Sequence, residues 1–137
     1  MTPDVHGLLD TNILILRRRI DHARLPETMS ISAVTLAELS AGPHHTADPV
    51  ERARRMDVLQ RAESEFDPLP FDAEAARAFG TVAASVLAAG RKPRARTADL
   101  MIASVAIANR LPIYTTNPDD FAGLDALLTV VAVPLSG

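Results

Sequence analysis

The chain has 137 residues, 47% of them hydrophobic, which suits one domain spanning 1–137 with a buried core and excludes a disordered chain. It has no cysteine, so disulfide and thiolate chemistry are excluded, as befits a reducing compartment. A net charge of −3 would not draw it to nucleic acid globally, but basic residues cluster as "RRR" at 17–19 and "RKPRAR" at 91–96, runs that by themselves also fit solvated surface. No window approaches the roughly 18 apolar residues of a membrane span. "MTPDVHG" lacks the charged and apolar regions of a signal peptide, so a cytoplasmic protein is expected.

In chain order, the apolar run "GLLD" at 7–10 predicts a buried strand, and "TNILILRRRI" a helix capped by Asp10 or Thr11. "MSIS" at 29–32 predicts a second strand. The helix through "TLAELSAG" should stop at Gly42. Val50, Ala53, Met56, Leu59 and Ala62 recur at helical spacing, and "DPLP" at 67–70 reads as a short extended segment. Residues 73–89 place Ala75, Ala76, Phe79, Val82, Ala83, Val86 and Leu87 on one helical face, ended by Gly90. A nearly all-apolar helix over 97–110 precedes Pro112, the strand "IYTT" and a last strand in "LTVVAV" at 128–133. Strands alternating with helices predict an α/β fold, a small parallel sheet flanked by helices.

Such sheets bind ligands at the carboxyl ends of their strands. There the pattern sends Asp10, at the end of the first strand, and Glu38, early in the helix after the second. Asp99 opens the apolar helix, and Asn117 to Asp120 follow "IYTT". Each has a structural alternative. Asp10 can be a helix cap. Thr35-Leu36-Ala37-Glu38 matches a capping box. Asp99 can complement a helix dipole, and "NPDDF" contains ordinary turn residues. Their convergence on one rim favours a shared function. Crowded carboxylates raise one another's pKa values, and a divalent cation relieves the repulsion. All-oxygen ligands favour Mg²⁺ or Mn²⁺ over zinc. His6, His22, His44 and His45 fall near the chain end or in expected loops. A basic loop directly before Asp99, with Arg91, Lys92, Arg94 and Arg96, could hold a polyanionic backbone beside the metal. Metal and basic loop together point to phosphodiester hydrolysis.

"LLDTNILI", "SAVTLAELSAG" and "RARTADLMIASVAIANRLPIYTTNPDDF" resemble the PIN-domain ribonucleases, in particular the VapC-type toxins of bacterial toxin–antitoxin pairs. The resemblance covers nearly the whole chain. It implies Mg²⁺- or Mn²⁺-dependent RNA cleavage, with Asp10, Glu38 and Asp99 at the three acidic motif positions. Asn117 matches the fourth, and Asp120 stands near it as a substitute. It also implies a homodimer held inactive by a small VapB-type antitoxin that inserts residues near the acidic crevice. Other readings fit less well. A receiver-type phosphoacceptor wants a lysine at a late strand end, whereas the only lysine is Lys92. A haloacid-dehalogenase-like phosphatase wants Asp-x-Asp, where this chain has Asn12. The remaining alternatives are a non-catalytic phosphate- or RNA-binding module with structural carboxylates and another metal phosphohydrolase.

Overall fold

The computed structural model describes residues 5–136; the expectation about a signal peptide rests partly on residues 1–4, outside that range. Four strands form one parallel sheet: β1 (His6–Leu9), β2 (Thr28–Ser30), β3 (Ile113–Thr115) and β4 (Val130–Ala132), in the order β2-β1-β3-β4. Leu8 pairs with Ser30 on one side and Ile113 on the other, and Ile113 in turn pairs with Val130. The "DPLP" segment prolongs the β2 edge: Leu69 donates its N–H to the Ile31 carbonyl and accepts from Ala33 N–H. The parallel α/β architecture is therefore as expected.

Side chains alternate across the sheet. Leu8 and Ile113 face a core containing Val82, Val86, Leu100, Ile102 and Phe121, while Leu9 and Tyr114 face a second one with Ile13, Ile31, Leu39 and Ala62. The first core is roofed by α4 (Ala73–Ala88) and α5 (Thr97–Ala108). The second is roofed by α1 (Thr11–Ile15), α2 (Ala33–Ala41) and α3 (Pro49–Glu65). Covering both faces explains why β1 and β3 lack polar alternation, and each large aliphatic side chain buried there stabilises the fold by about 1.5–3 kcal/mol. Gly7 lets the Tyr114 ring lie against β1. A Cβ there would stand 2.5 Å from Tyr114 Cε1 and 2.7 Å from Cδ1.

α5 needs no polar face because residues 102–106 are all buried. Its one hydroxyl there, on Ser104, donates back to the Leu100 carbonyl at 2.7 Å. The helix closes on Arg110 at φ 55, with Leu111 N–H reaching the Ala106 carbonyl.

Several local expectations are corrected. α1 ends at Ile15, and the arginines form a separate 3-10 turn, Arg17–Arg19. Apolar spacing ends there, Arg17 instead pairs with Glu65, and Ser136 takes up the Arg19 carbonyl. α2 does stop at Gly42 as expected, but without a left-handed turn. Gly42 stays right-handed at φ −49 and leads into a 3-10 turn, Gly42–His45. Arg55 of α3 then takes the Gly42 carbonyl, and Arg52 that of Pro43. On α3 the inward face is Val58, Leu59 and Ala62; Val50 is 71% and Met56 39% exposed, and Ala53 is exposed too. On α4, Ala76 and Leu87 likewise point outward, leaving Ala75, Val82 and Val86 as the buried stripe. Gly90, at φ 78, does follow that helix as expected.

Candidate active site

β1 and β3 run side by side and end together, so Asp10 and Thr115 meet at the carboxyl edge. Asp10 is 2% exposed. Its Oδ1 accepts the Thr11 N–H at 2.9 Å, capping α1, and its Oδ2 accepts the Thr115 hydroxyl at 2.8 Å. The cap reading of Asp10 is thus correct for one oxygen only. Thr115 Oγ1 also accepts the Asn117 N–H at 3.0 Å, which shapes the chain leaving β3.

Glu38 is brought in from α2. The N-cap of that helix is Ser32, whose hydroxyl accepts the Thr35 N–H at 3.1 Å. Glu38 therefore lies past the first turn, and the capping-box alternative for Thr35 to Glu38 is not realised. Its carboxylate instead accepts a 2.6 Å bond from the Thr11 hydroxyl. Asp99 stands in the first turn of α5, where the positive end of the helix favours negative charge. Among the described residues, no hydrogen bond reaches its carboxylate. Asp120 belongs to a 3-10 turn, Pro118–Phe121, pinned by the buried Phe121.

Electrostatics tie four of these groups together. Burial raises the Asp99 carboxyl to about 7, and Asp10, Asp120 and Glu38 push the same way against Arg96. Asp10 is raised by burial too, with Asp120 and Glu38 adding to it, while bonds from Thr115 and Thr11 act in opposition. Asp10 and Asp99 are therefore both within the field of Glu38 and Asp120. Asn117 is exposed and makes its bond through the backbone. Of the two candidates for the fourth position, Asp120 acts on Asp10 and Asp99 through its charge, while the neutral Asn117 is linked to Asp10 through its N–H bond to the Thr115 hydroxyl.

The basic loop divides in two. Arg96 donates to Asp120 Oδ1 at 3.2 Å and to the Asp119 carbonyl at 2.9 Å, and Arg91 shares that carbonyl at 3.2 Å. These two arginines brace the acidic turn. Lys92 and Arg94 are exposed, and among the described residues their side chains make no ion pair or hydrogen bond. Sequence reasoning missed the hydroxyls of Thr11, Thr35 and Thr115. The available signal was a threonine directly after Asp10, another three residues before Glu38, and a third just past the apolar "PIY".

The donors are all oxygen, and the acidic groups carry the surplus repulsion that a hard divalent cation would neutralise. On that chemistry the residues fit such an ion. Among the described residues no three or more of them are close enough together to form a ready ligand group.

The PIN domain family model matches residues 7–127. Ribonuclease VapC5 of Mycobacterium tuberculosis is 36% identical over 132 residues, covering 94% of this chain and 95% of its own. A tRNA(fMet)-specific endonuclease VapC from Shigella flexneri is 33% identical over 129 residues, covering 89% and 94%. In three dimensions the chain is similar to the crystal structure of VapBC-5, a member of the VapBC family of toxin–antitoxin systems from Mycobacterium tuberculosis. That match has a TM-score of 0.82 and 34% identity, covering 96% of this chain and 99% of that one. The DNA-bound VapBC structure from Salmonella typhimurium gives 0.66 and 28% identity over 85% and 90%. This chain therefore belongs to the PIN-domain family, as a VapC-type ribonuclease toxin of a toxin–antitoxin pair.

Proposed function

We propose that the protein is a Mg²⁺- or Mn²⁺-dependent endoribonuclease whose metal is held by Asp10, Asp99 and Glu38, with Asp120 completing the acidic rim and Asn117 at its mouth. The observation that carries this reading is that carboxyls from separate elements gather at one edge of the sheet: burial raises both Asp10 and Asp99, and the charges of Asp120 and Glu38 add to each. Two independent helix caps need not lie within reach of the same neighbouring carboxylates. A bound divalent ion supplies Lewis acidity, favouring deprotonation of the attacking water and charge build-up on the scissile phosphate. Around it, Thr115 fixes the rotamer of Asp10 and Thr11 that of Glu38. Arg91 and Arg96 hold the Asp120 turn in place. The exposed Lys92 and Arg94 meet RNA phosphates and so position the strand.

The partner is a small VapB-type antitoxin, in keeping with the VapBC complexes among the similar structures; residues it inserts near the acidic crevice block the site. The working form is a homodimer of chains folded as one domain over 1–137, in the cytoplasm. Among the described residues no helix is long and apolar enough to cross a membrane. The test is cleavage of a defined RNA by purified protein, free of contaminating nuclease, with EDTA and then with Mn²⁺ or Mg²⁺ restored. Cleavage that disappears and returns supports the proposal, and full activity in excess EDTA refutes it.

A further inference from the structure

Glu38 extends from an exposed helical position, and a long glutamate has several rotamers open to it. What orients it is a chain of hydroxyls running in from the core. Thr11 Oγ1 spends its one hydrogen on Glu38 Oε1 at 2.6 Å. Its 2.9 Å contact with Thr35 Oγ1 must then be a bond that Thr35 donates. With its own hydrogen committed, Thr35 Oγ1 is left to accept, and Ser32 Oγ stands at the outer limit of a hydrogen bond, 3.5 Å away. The donor directions that count are thus set: Thr35 to Thr11 to Glu38. Ser32 and Thr35 are completely buried and Thr11 is 8% exposed, so bulk water does not compete within the chain. Both threonines are β-branched and stiff at χ1. Ser32 is locked as the α2 cap, and the Thr11 N–H is bound to Asp10.

We propose that Thr35, a residue outside the acidic cluster, is a positioning residue that acts through Thr11. It supplies the hydrogen bond that keeps the Thr11 hydroxyl aimed at Glu38, leaving the other Glu38 oxygen for the cation. This inference rests on the metal-dependent reading of the site. Without the Thr35 hydroxyl, the Thr11 oxygen loses its donor and its hydroxyl can rotate toward another acceptor. Outer hydrogen bonds of this kind are commonly worth 10–100-fold in metal affinity or activity.

The experiment measures Mn²⁺ binding by calorimetry or by paramagnetic resonance of the free ion, alongside RNA cleavage and thermal melting of each variant. Thr35→Val, nearly isosteric but without the hydroxyl, should weaken Mn²⁺ binding by about 10-fold, and saturating Mn²⁺ should restore most of the cleavage rate. Thr35→Ser keeps the donor and should bind within about 2-fold of the unaltered protein, a rescue that packing alone would not produce. Thr11→Val should weaken binding at least as much as Thr35→Val, and Thr35→Val added to it should cause no further loss, because the two act in series. Normal binding by Thr35→Val, loss in Thr35→Ser equal to that in Thr35→Val, or losses that multiply in the double variant would each overturn the inference. If the unaltered protein itself binds no Mn²⁺, the metal reading falls first, and that outcome is distinct from all of these.

Discussion

Raising the pH of the metal-free protein should destabilise it through Asp99, and Asp99→Asn should remove the effect. The carboxyl titrates at about 7 in the folded chain against its ordinary 3.8. Below 3.8 both states hold the proton and this group favours neither. Between 3.8 and 7 the folded state keeps a proton that the unfolded state has lost, so stability falls as pH rises. Above 7 the loss is complete. Unscreened, that interval corresponds to about 4 kcal/mol. Water reaches the half-buried carboxyl, and screening reduces the effect to roughly 1–2 kcal/mol. Asp10, also raised, acts in the same direction. Glu65, lowered by its bond from Arg17, acts oppositely in the acid range, so the informative quantity is the difference between variant and unaltered protein. Thermal melts in EDTA should show Asp99→Asn close to the unaltered protein near pH 4, and roughly 3–8 °C more stable at pH 8. Adding Mn²⁺ at pH 8 should raise the melting temperature of the unaltered protein far more than that of the variant. A variant whose offset is the same at both pH values, or that melts lower at pH 8, would refute the reasoning.

Other perturbations test separate parts of the structure. Replacing Lys92 and Arg94 together with alanine, in an Asp10→Asn background that spares the RNA, should lower the slope of log affinity against log salt by about 1.4. It should leave stability within about 0.5 kcal/mol, and an unchanged slope in filter-binding titrations would return both residues to plain solvated surface. Gly7→Ala should cost about 1–3 kcal/mol in urea unfolding, because the new Cβ would sit 2.5 Å from a buried tyrosine ring. A neutral result there would mean that Tyr114 has room to move.

The fold was legible wherever burial alone dictated structure. β1, β3 and α5 are apolar on every side because the sheet is covered on both faces, and runs such as "GLLD" and "ADLMIASVAIA" carry that directly. Patterns failed where the apolar stripe was thin. Val50 and Met56 fit a helical period that the long, charged α3 turns outward, since only its second half, through Val58, Leu59 and Ala62, joins the core. α1 was read too long because no period distinguishes a helix from the 3-10 turn that Arg17 and Ser136 help to fix from distant parts of the chain. The positions of Asp10, Glu38 and Asp99 followed from strand polarity. The placement of Asp120 did not, because it depends on how the Pro118–Phe121 turn meets Arg96. The threonines stood beside the acidic residues in the chain, but their hydrogen bonds were not legible there, since the Thr11–Thr35 bond joins residues 24 positions apart.

The most direct test of the central claim is RNA cleavage with Mn²⁺ by Asp10→Asn and Asp99→Asn, each first shown by melting to be folded. Asp10→Asn keeps an oxygen for the Thr11 N–H but sets an NH2 against the buried Thr115 hydroxyl, which must turn to accept it, so the variant should cost about 1–3 kcal/mol and stay folded. The account predicts two folded proteins whose cleavage falls by at least about 100-fold, because an amide weakens hold on the cation that activates water. Folded variants that cleave RNA at the rate of the unaltered protein would contradict it.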